Sequence, residues 1–505
     1  MNLLEIQEAL KTGAGVLGSA GILFTEARDP KRWEEIKTSE HFQKTLAELK
    51  ENAALYLQQP LQVLPYSLFK LFVETGSRKE YETAYFEHRD RLNTFAILTL
   101  AEGKQESIGA LEDTIWGICD EYTWSLPAHL DDNRNIFEGN FKTSQNWGFE
   151  DKMAKDRRTL DLFACETGFA LAEILSLLEN KLSPLVVCRG RQETFQRILG
   201  PYSDLKSSCW WETATMNWAA VCAGSIGAAA LYVIEDQRIL ALVLQRVLGT
   251  LEYFLEGFGE DGACLEGMDY WNYGFGFYTY FGALLKQRTA GKIDLFQGEK
   301  IERIALFPQK CYLAGNSVVS FSDTQLTVKY QPSLTGHLKS FFHEITIPER
   351  RFAVGMNDGL RYRWASAIRN IIWDNDVILN NDVICNNSQI EHPAQIGSTC
   401  YFENAQWLIS KKYRDGIPVF FAAKGGHNDE PHNHNDVGSF LFQVAGETLL
   451  VDMGSGEYTR QYFGAERYDF LCNSSRGHSV PIVEGQYQKA GGDYAARIID
   501  FKISA

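Results

Sequence analysis

The chain has 505 residues, 45% of them hydrophobic and 23% charged, and a formal net charge of −16. That length is enough for two or more domains with a large core. The acidic balance without any long basic run argues against nucleic acid as a partner, and no run of about 18 apolar residues suggests a membrane-spanning helix.

The opening segment, MNLLEIQEALKTGAG, carries acidic residues and no basic leader region, so it does not read as a signal peptide. The ten cysteines form no CxxC pair. Several, such as Cys165 and Cys222, sit in apolar segments, the pattern of buried free thiols in a reducing compartment. The expectation is a cytoplasmic protein, or a periplasmic or secreted one if a leader precedes this sequence.

Residues 1–295 read as helical. From Asp156, DRRTLDLFACETGFALAEILSLLENKL places Leu160, Phe163, Leu171, Ile174, Leu175 and Leu178 at helical spacing. AAVCAGSIGAAALYVIED, RILALVLQRVLGTLEYFLEGF and FYTYFGALLKQRT follow in the same rhythm. Helices of this length joined by loops rich in Gly, Trp and Asp suit stacked hairpins, either a toroid or a solenoid. Between 291 and 310 the period shifts from 3.6 to 2.0. SVVSFSDTQLTVKY, HLKSFFHEITIP, RYRWASAIRNIIW, WLISKKY, PVFFAAKG, SFLFQVAG and ETLLVDMG predict an antiparallel β-sandwich over 296–505. The last residues, AARIIDFKISA, stop inside a strand-like run, so the second domain is expected to continue beyond them.

Histidine is concentrated late: four of ten fall between 427 and 478. In PHNHND, His432 and His434 lie two apart, so an extended backbone would turn both to one side. Asp452 ends the apolar run TLLVDMG, and His478 follows in SSRGHSVP. Two imidazoles and a carboxylate form a nitrogen–oxygen donor set suited to zinc; the alternative is a polar loop whose histidines bond to backbone. A plain two-residue hairpin at Ala445-Gly446 sets Asp452 opposite Ser439 rather than His434, so a metal site requires a bend or bulge. An aromatic content of 13%, with 11 Trp and 22 Tyr, suits either sugar stacking or a large core. A polyanionic substrate would need a local cationic cleft in this acidic chain; Arg189, Arg191, Arg350, Arg351, Arg361 and Arg363 are the candidates.

The stretch HNHNDVGSFLFQVAGETLLVDMGSGEYT with SSRGHSVPIVEGQYQ resembles the C-terminal region of heparinase II/III-family polysaccharide lyases, which are related to alginate and oligoalginate lyases. EYTWSLPAH (121–129), ATMNWAAVCAGSIG (214–227) and LEGMDYWNYG (265–274) resemble that family's toroid motifs. The resemblance spans about residue 110 to the end. It implies an (α/α) toroid followed by a β-sandwich, and a zinc ion of structural role held by His434, Asp452 and His478. It also implies His432 facing the substrate, with Asn217 and Tyr270 across the cleft. One departure stands out: where relatives carry a histidine after the asparagine, this chain has Trp218. Tyr273 and Tyr278 lie close enough in sequence to compete with Tyr270.

The implied reaction is β-elimination on a uronic-acid-containing glycan, such as heparin, heparan sulfate or an alginate-like polymer, leaving a 4,5-unsaturated uronate. Removing the C5 proton, α to a carboxylate, requires that carboxylate to be neutralised, a base at C5 and an acid at O4. Asn217 supplies an amide, and Tyr270 and His432 supply base and acid in either order. The bland readings are an N-cap for Asn217 and a packed loop for Tyr270; Trp124 and His129 read equally as cleft-lining residues and as a rigid structural turn at Pro127. Two other functions remain open: a glycoside hydrolase using Asp261, Glu266 or Asp269, and a non-catalytic carbohydrate-binding protein.

Overall fold

The structure is a computed structural model that describes residues 1–17, 23–130, 154–359, 361–374 and 397–502. Its first part is helical and its last part antiparallel β. Four helices form an inner layer: Lys79–Ala101, Leu162–Leu178, Asn217–Val233 and Met268–Arg288. Each is buried around much of its circumference; in the first, every residue from Leu92 to Ala101 is buried. Asn217–Val233 packs between Leu162–Leu178 and Met268–Arg288. Its run of Ala and Gly permits the approach: a Cβ on Gly227 would lie 2.5 Å from the Phe281 ring.

Outer helices show a single apolar stripe. Gln237–Glu256 buries Leu240, Val243, Leu244, Val247, Leu248, Leu251 and Phe254, the i, i+3, i+4, i+7 pattern of a one-faced helix. Each such leucine contributes roughly 2 kcal/mol of burial. Asp236 caps this helix by accepting from the Arg238 and Ile239 amides, and Asp161 caps Leu162–Leu178 through the Ala164 amide at 2.7 Å. Both supply an acceptor and a negative charge where the helix leaves free N–H groups. Among the described residues, no helix is long and apolar enough to cross a membrane.

Between 296 and 374 the structure departs from the expected strands. Glu299–Cys311, Pro332–Lys339 and Trp364–Ile372 are helices. SVVSFSDTQLTVKY forms only isolated bridges, among them Ser317 with Thr327 and Tyr312 with Val318. In Trp364–Ile372 every residue but Asn370 is buried, and the large apolar ones, Trp364, Ile368, Ile371 and Ile372, follow the helical period. Their β-branched and aromatic side chains gave the segment a strand-like composition that tertiary packing overrides. This helix packs against Leu162–Leu178, Lys79–Ala101 and Met268–Arg288. Its Arg369, fully buried, forms a two-bonded ion pair with Glu173 at 2.9 and 3.1 Å.

Regular strands begin at 398. β1 (Ser398–Phe402), β2 (Trp407–Arg414), β3 (Ile417–Lys424), β5 (Phe440–Val444) and β6 (Glu447–Leu450) form one antiparallel sheet in the order β1-β2-β3-β5-β6. β4 (Gly426–Asn428) pairs separately with β7 (Gly491–Ala496). Asp415-Gly416 joins β2 to β3 with both φ positive, and Ala445-Gly446 does the same between β5 and β6, the conformation that matches strand twist in a two-residue hairpin. In the second hairpin the register shifts between Phe442 and Gln443, setting Phe442 opposite Leu450. Asp452 lies two residues past the end of β6, where the chain has left the sheet.

Candidate active site

The HNHND loop links β4 to β5 and is stitched down on both sides. The Asn435 amide donates to the Asn473 carbonyl at 2.9 Å, Ser475 Oγ donates to the Asn435 carbonyl at 2.7 Å, and the Gln488 side chain bonds both backbone groups of Val437. His432 is held at φ 58°, a left-handed conformation that costs most residues free energy and clusters at functional sites. The backbone is therefore not extended at His432, yet both histidines reach one carboxylate. His432 Nδ1 lies 2.8 Å from Asp323 Oδ2, and His434 Nε2 lies 2.9 Å from Asp323 Oδ1.

Asp323 is the hub that the sequence did not reveal. Besides the two imidazoles it accepts from Arg467 Nη2 at 3.1 Å and from the Tyr462 hydroxyl. Burial alone would raise its pKa, but the hydrogen bonds from His432 and His434 and the Arg467 charge outweigh it, holding the carboxyl far below its usual range. No pattern in SFSDTQL marks Asp323, because its partners lie more than a hundred residues downstream.

The structure brings Asn217, Tyr270 and His432 together. The Tyr270 ring stacks on the His432 ring, centroids 4.0 Å apart. His432 Nε2 lies 3.6 Å from Glu266 Oε1, which also accepts from Asn217 Nδ2 at 2.6 Å; the other Glu266 oxygen accepts from the Asn217 backbone amide at 2.8 Å. Asn217 is thus the first residue of its helix rather than its N-cap, which is Met216. The helix end is satisfied instead by a carboxylate from outside it. Asn217 itself is fully buried, and its Oδ1 has no hydrogen-bond partner.

Burial raises the Glu266 carboxyl, opposed by the nearby His432 and by the bonds from Asn217. It also raises the Tyr270 hydroxyl, helped by the Asp323 charge, so Tyr270 rests as a neutral phenol. Its Oη lies 2.6 Å from Tyr458 Oη, a second tyrosine that sequence reading missed. The rival tyrosines are engaged elsewhere: Tyr273 bonds Glu166, and Tyr278 bonds the Leu295 carbonyl at 2.8 Å.

Tyr270 and Tyr273, one helical turn apart, line a cavity of about 470 Å³ together with Arg363, Lys329 and Tyr362. Of the six candidate arginines only Arg363 borders it, paired there with Glu166. Arg189 pairs with Asp120, Arg191 with Glu179, Arg350 with Asp374, Arg351 with Glu349 and Arg361 with Asp90. Trp124 is a core residue whose Nε1 donates to the Ile118 carbonyl. Of the three carboxylates considered for hydrolysis, Asp261 accepts from the Ala263 and Asn404 amides, Asp269 from the Gln325 amide, and Glu266 from Asn217.

The donor atoms of His434, Asp436 and His478 lie within 4.8 Å of one another. His434 Nδ1 and Asp436 Oδ2 are both buried without a hydrogen-bond partner; such orphaned acceptors fit a cation between them. Asp452 stands behind His478, its Oδ2 2.9 Å from Nδ1, while His478 Nε2 bonds the Cys472 carbonyl at 2.7 Å. Lys424, fully buried, pairs with Asp436 Oδ1 at 2.9 Å.

No family model and no curated protein matches this sequence. Solved structures do. A heparan sulfate lyase from Pedobacter heparinus aligns at 13% identity and a TM-score of 0.45, over 84% of this chain and 64% of that one. A heparinase III aligns at 11% identity and a TM-score of 0.49, over 93% of this chain and 72% of its own. This chain spans about two thirds of the length of the lyases it matches.

Proposed function

We propose that this protein is a polysaccharide lyase that cleaves a uronic-acid-containing glycan by β-elimination. The observation that carries the reading is the Tyr270 ring stacked at 4.0 Å on His432, whose Nε2 faces the Glu266–Asn217 pair. A phenol, an imidazole and an amide–carboxyl pair in one place supply the acid, base and neutralising groups the reaction needs. His432, oriented by Asp323, is the base for the C5 proton. Tyr270, kept neutral by burial, is the acid for the departing O4, with Tyr458 able to return its proton. The second Asn217 N–H is the donor for the substrate carboxylate. Arg363 and Lys329 border the adjoining cavity, paired with Glu166 and Asp358.

Zinc fits the orphaned atoms of His434 and Asp436, with His478 as the third donor; Asp436 takes the place expected for Asp452, which stands behind His478. Bound there, it would supply fixed positive charge that ties the HNHND loop to the 452–478 segment. His434 would then present Nδ1 to the metal and Nε2 to Asp323, the carboxylate–histidine–metal arrangement that fixes a ligand's tautomer.

The test is a panel of heparan sulfate, heparin and alginate polymers and oligomers, assayed for the ultraviolet absorbance of a double bond conjugated to a carboxylate. Activity on at least one uronate, lost in Tyr270→Phe and His432→Ala with the fold intact, is expected. Cleavage without the absorbance, as a hydrolase would give, refutes the reading. Metal analysis of the purified protein should find one zinc per chain, and chelation should lower the unfolding temperature; a metal-free protein of unchanged stability removes the zinc assignment.

A further inference from the structure

The turn at 458–463 touches the proposed reaction centre through three side chains. The Tyr458 hydroxyl lies 2.6 Å from that of Tyr270. The Tyr462 hydroxyl donates to Asp323, which orients His432. The Phe463 ring meets the His432 ring edge to face, centroids 6.2 Å apart, and the Tyr458 ring at 4.8 Å. Yet residues 451–463 belong to no helix or strand. Inside the turn, the Tyr462 amide donates to Thr459 Oγ1 at 3.2 Å and the Gly464 amide to the Gln461 carbonyl at 3.0 Å. Such local bonds shape the turn but do not fix where it sits against the helix that carries Tyr270.

Two residues in the middle of the turn tie it to the far end of the chain. Arg460 Nη1 donates to the Val73 carbonyl at 2.9 Å and to the Phe72 carbonyl at 3.4 Å, and the Arg460 backbone amide donates to the Gly76 carbonyl at 3.1 Å. These carbonyls lie at the end of the short helix Leu71–Thr75, where C=O groups run out of helical N–H partners and need outside donors. Gly76 closes that helix at φ 81°. A Cβ there would come within 2.9 Å of Gln461 Oε1 and 3.2 Å of Arg460 Cβ, so the turn lies directly on the helix end. Neither Arg460 nor residues 72–76 border the Tyr270 cavity.

We propose that Arg460 is a positioning residue: by pinning the 458–463 turn to the end of Leu71–Thr75, it sets Tyr458 against Tyr270 and Tyr462 against Asp323. This rests on the lyase reading for the reaction that is served, and the test separates the two. Freed from its anchor, the turn can shift while the sheet and the helices stay folded. A displacement of about 1 Å at groups that pass protons costs about 100-fold in rate. The loss falls on kcat rather than KM, because the anchor lies outside the cavity that would hold substrate.

The experiment pairs hydrogen exchange of residues 456–464, read by mass spectrometry, with kcat and KM from product absorbance on heparan sulfate, heparin and alginate. Arg460→Ala is expected to speed exchange in that segment about tenfold, the equivalent of one lost charge-assisted bond, and to leave the β2–β3 hairpin unchanged. Its kcat should fall about 100-fold with KM within about threefold of the parent. Arg460→Lys, still able to reach the Val73 carbonyl, should recover most of both. Gly76→Ala strikes the same contact from the other side, so the double variant should lose no more than the worse single one. Arg303→Ala, which removes a guanidinium bonded to the Glu260 carbonyl at 3.0 Å, should change neither readout. Unchanged exchange in Arg460→Ala overturns the proposal, as does faster exchange with kcat untouched, or losses that multiply in the double variant. A parent that forms no unsaturated product from any of the three polymers, while exchange still depends on Arg460, would overturn the lyase reading and leave the anchor standing.

Discussion

Replacing Asp323 by Asn keeps the shape of the side chain and removes its charge. The carboxylate accepts from two imidazoles at 2.8 and 2.9 Å, from Arg467 at 3.1 Å and from the Tyr462 hydroxyl. An amide keeps one acceptor oxygen and turns N–H donors towards the rest, so at least one imidazole must reverse its tautomer or lose its partner. Charge-assisted bonds worth about 1.5–3 kcal/mol each become neutral ones worth about 1 kcal/mol. Across these contacts the expected loss is about 3 kcal/mol of stability. The larger effect falls on turnover. His432 has its Nε2 free to act as a base only while Nδ1–H is held by Asp323, and loss of such an orienting carboxylate costs about 100- to 10,000-fold in kcat. The assay is kcat and KM from product absorbance, alongside a denaturant curve for the same preparation. A variant that keeps kcat within about threefold of the parent, on a scale where tenfold is about 1.4 kcal/mol, would refute the assignment of Asp323 as the positioning residue.

Two stability predictions follow from groups away from the chemistry. Glu173→Ala strands the Arg369 guanidinium, buried among Phe24, Phe169, Tyr280 and Trp373, and should cost about 3–5 kcal/mol; the double change Glu173→Met with Arg369→Met should recover most of it, and an unchanged denaturation midpoint in Glu173→Ala would contradict the pairing. His337, stacked at 4.1 Å on Trp373, has its pKa lowered to about 4 by burial, with Arg369 and Lys286 adding to the effect. Above the unfolded value near 6.5 it is neutral in both states. As pH falls below that value the unfolded chain takes up the proton first, so stability should drop by about 2 kcal/mol between pH about 7 and about 5. His337→Gln should remove that component of the slope, which parallel pH profiles for variant and parent would disprove.

The helical part was legible because one-faced and all-round apolar patterns each leave a period, as in Gln237–Glu256 and Asn217–Val233. The strands of the main sheet from Trp407 to Leu450 were legible too, unlike the pair Gly426–Asn428 and Gly491–Ala496, and the hairpin at Ala445-Gly446 falls where the sequence put it. The stretch 296–374 was misread. Trp364–Ile372 has the composition of a strand and the spacing of a helix, and only the surrounding helices decide between them. In the site, His432, Asn217 and Tyr270 came from motif resemblance, and the structure places them around Glu266. Asp323, Tyr458 and Arg467 left no local trace, since each acts through a partner far away in the chain.

The wiring of Asp323 also bears on how the molecule is made. Its bonds close loops of 109, 111, 139 and 144 residues, and Tyr270 meets Tyr458 across 188. Contacts of such long span form late, because chain entropy must be surrendered before they repay it. During synthesis the helical part leaves the ribosome well before the HNHND segment exists, so an incomplete chain can be richly helical and still inert. In refolding, ellipticity should therefore return ahead of turnover, and the interval between them measures the docking of the last hundred residues onto a groove that is already built.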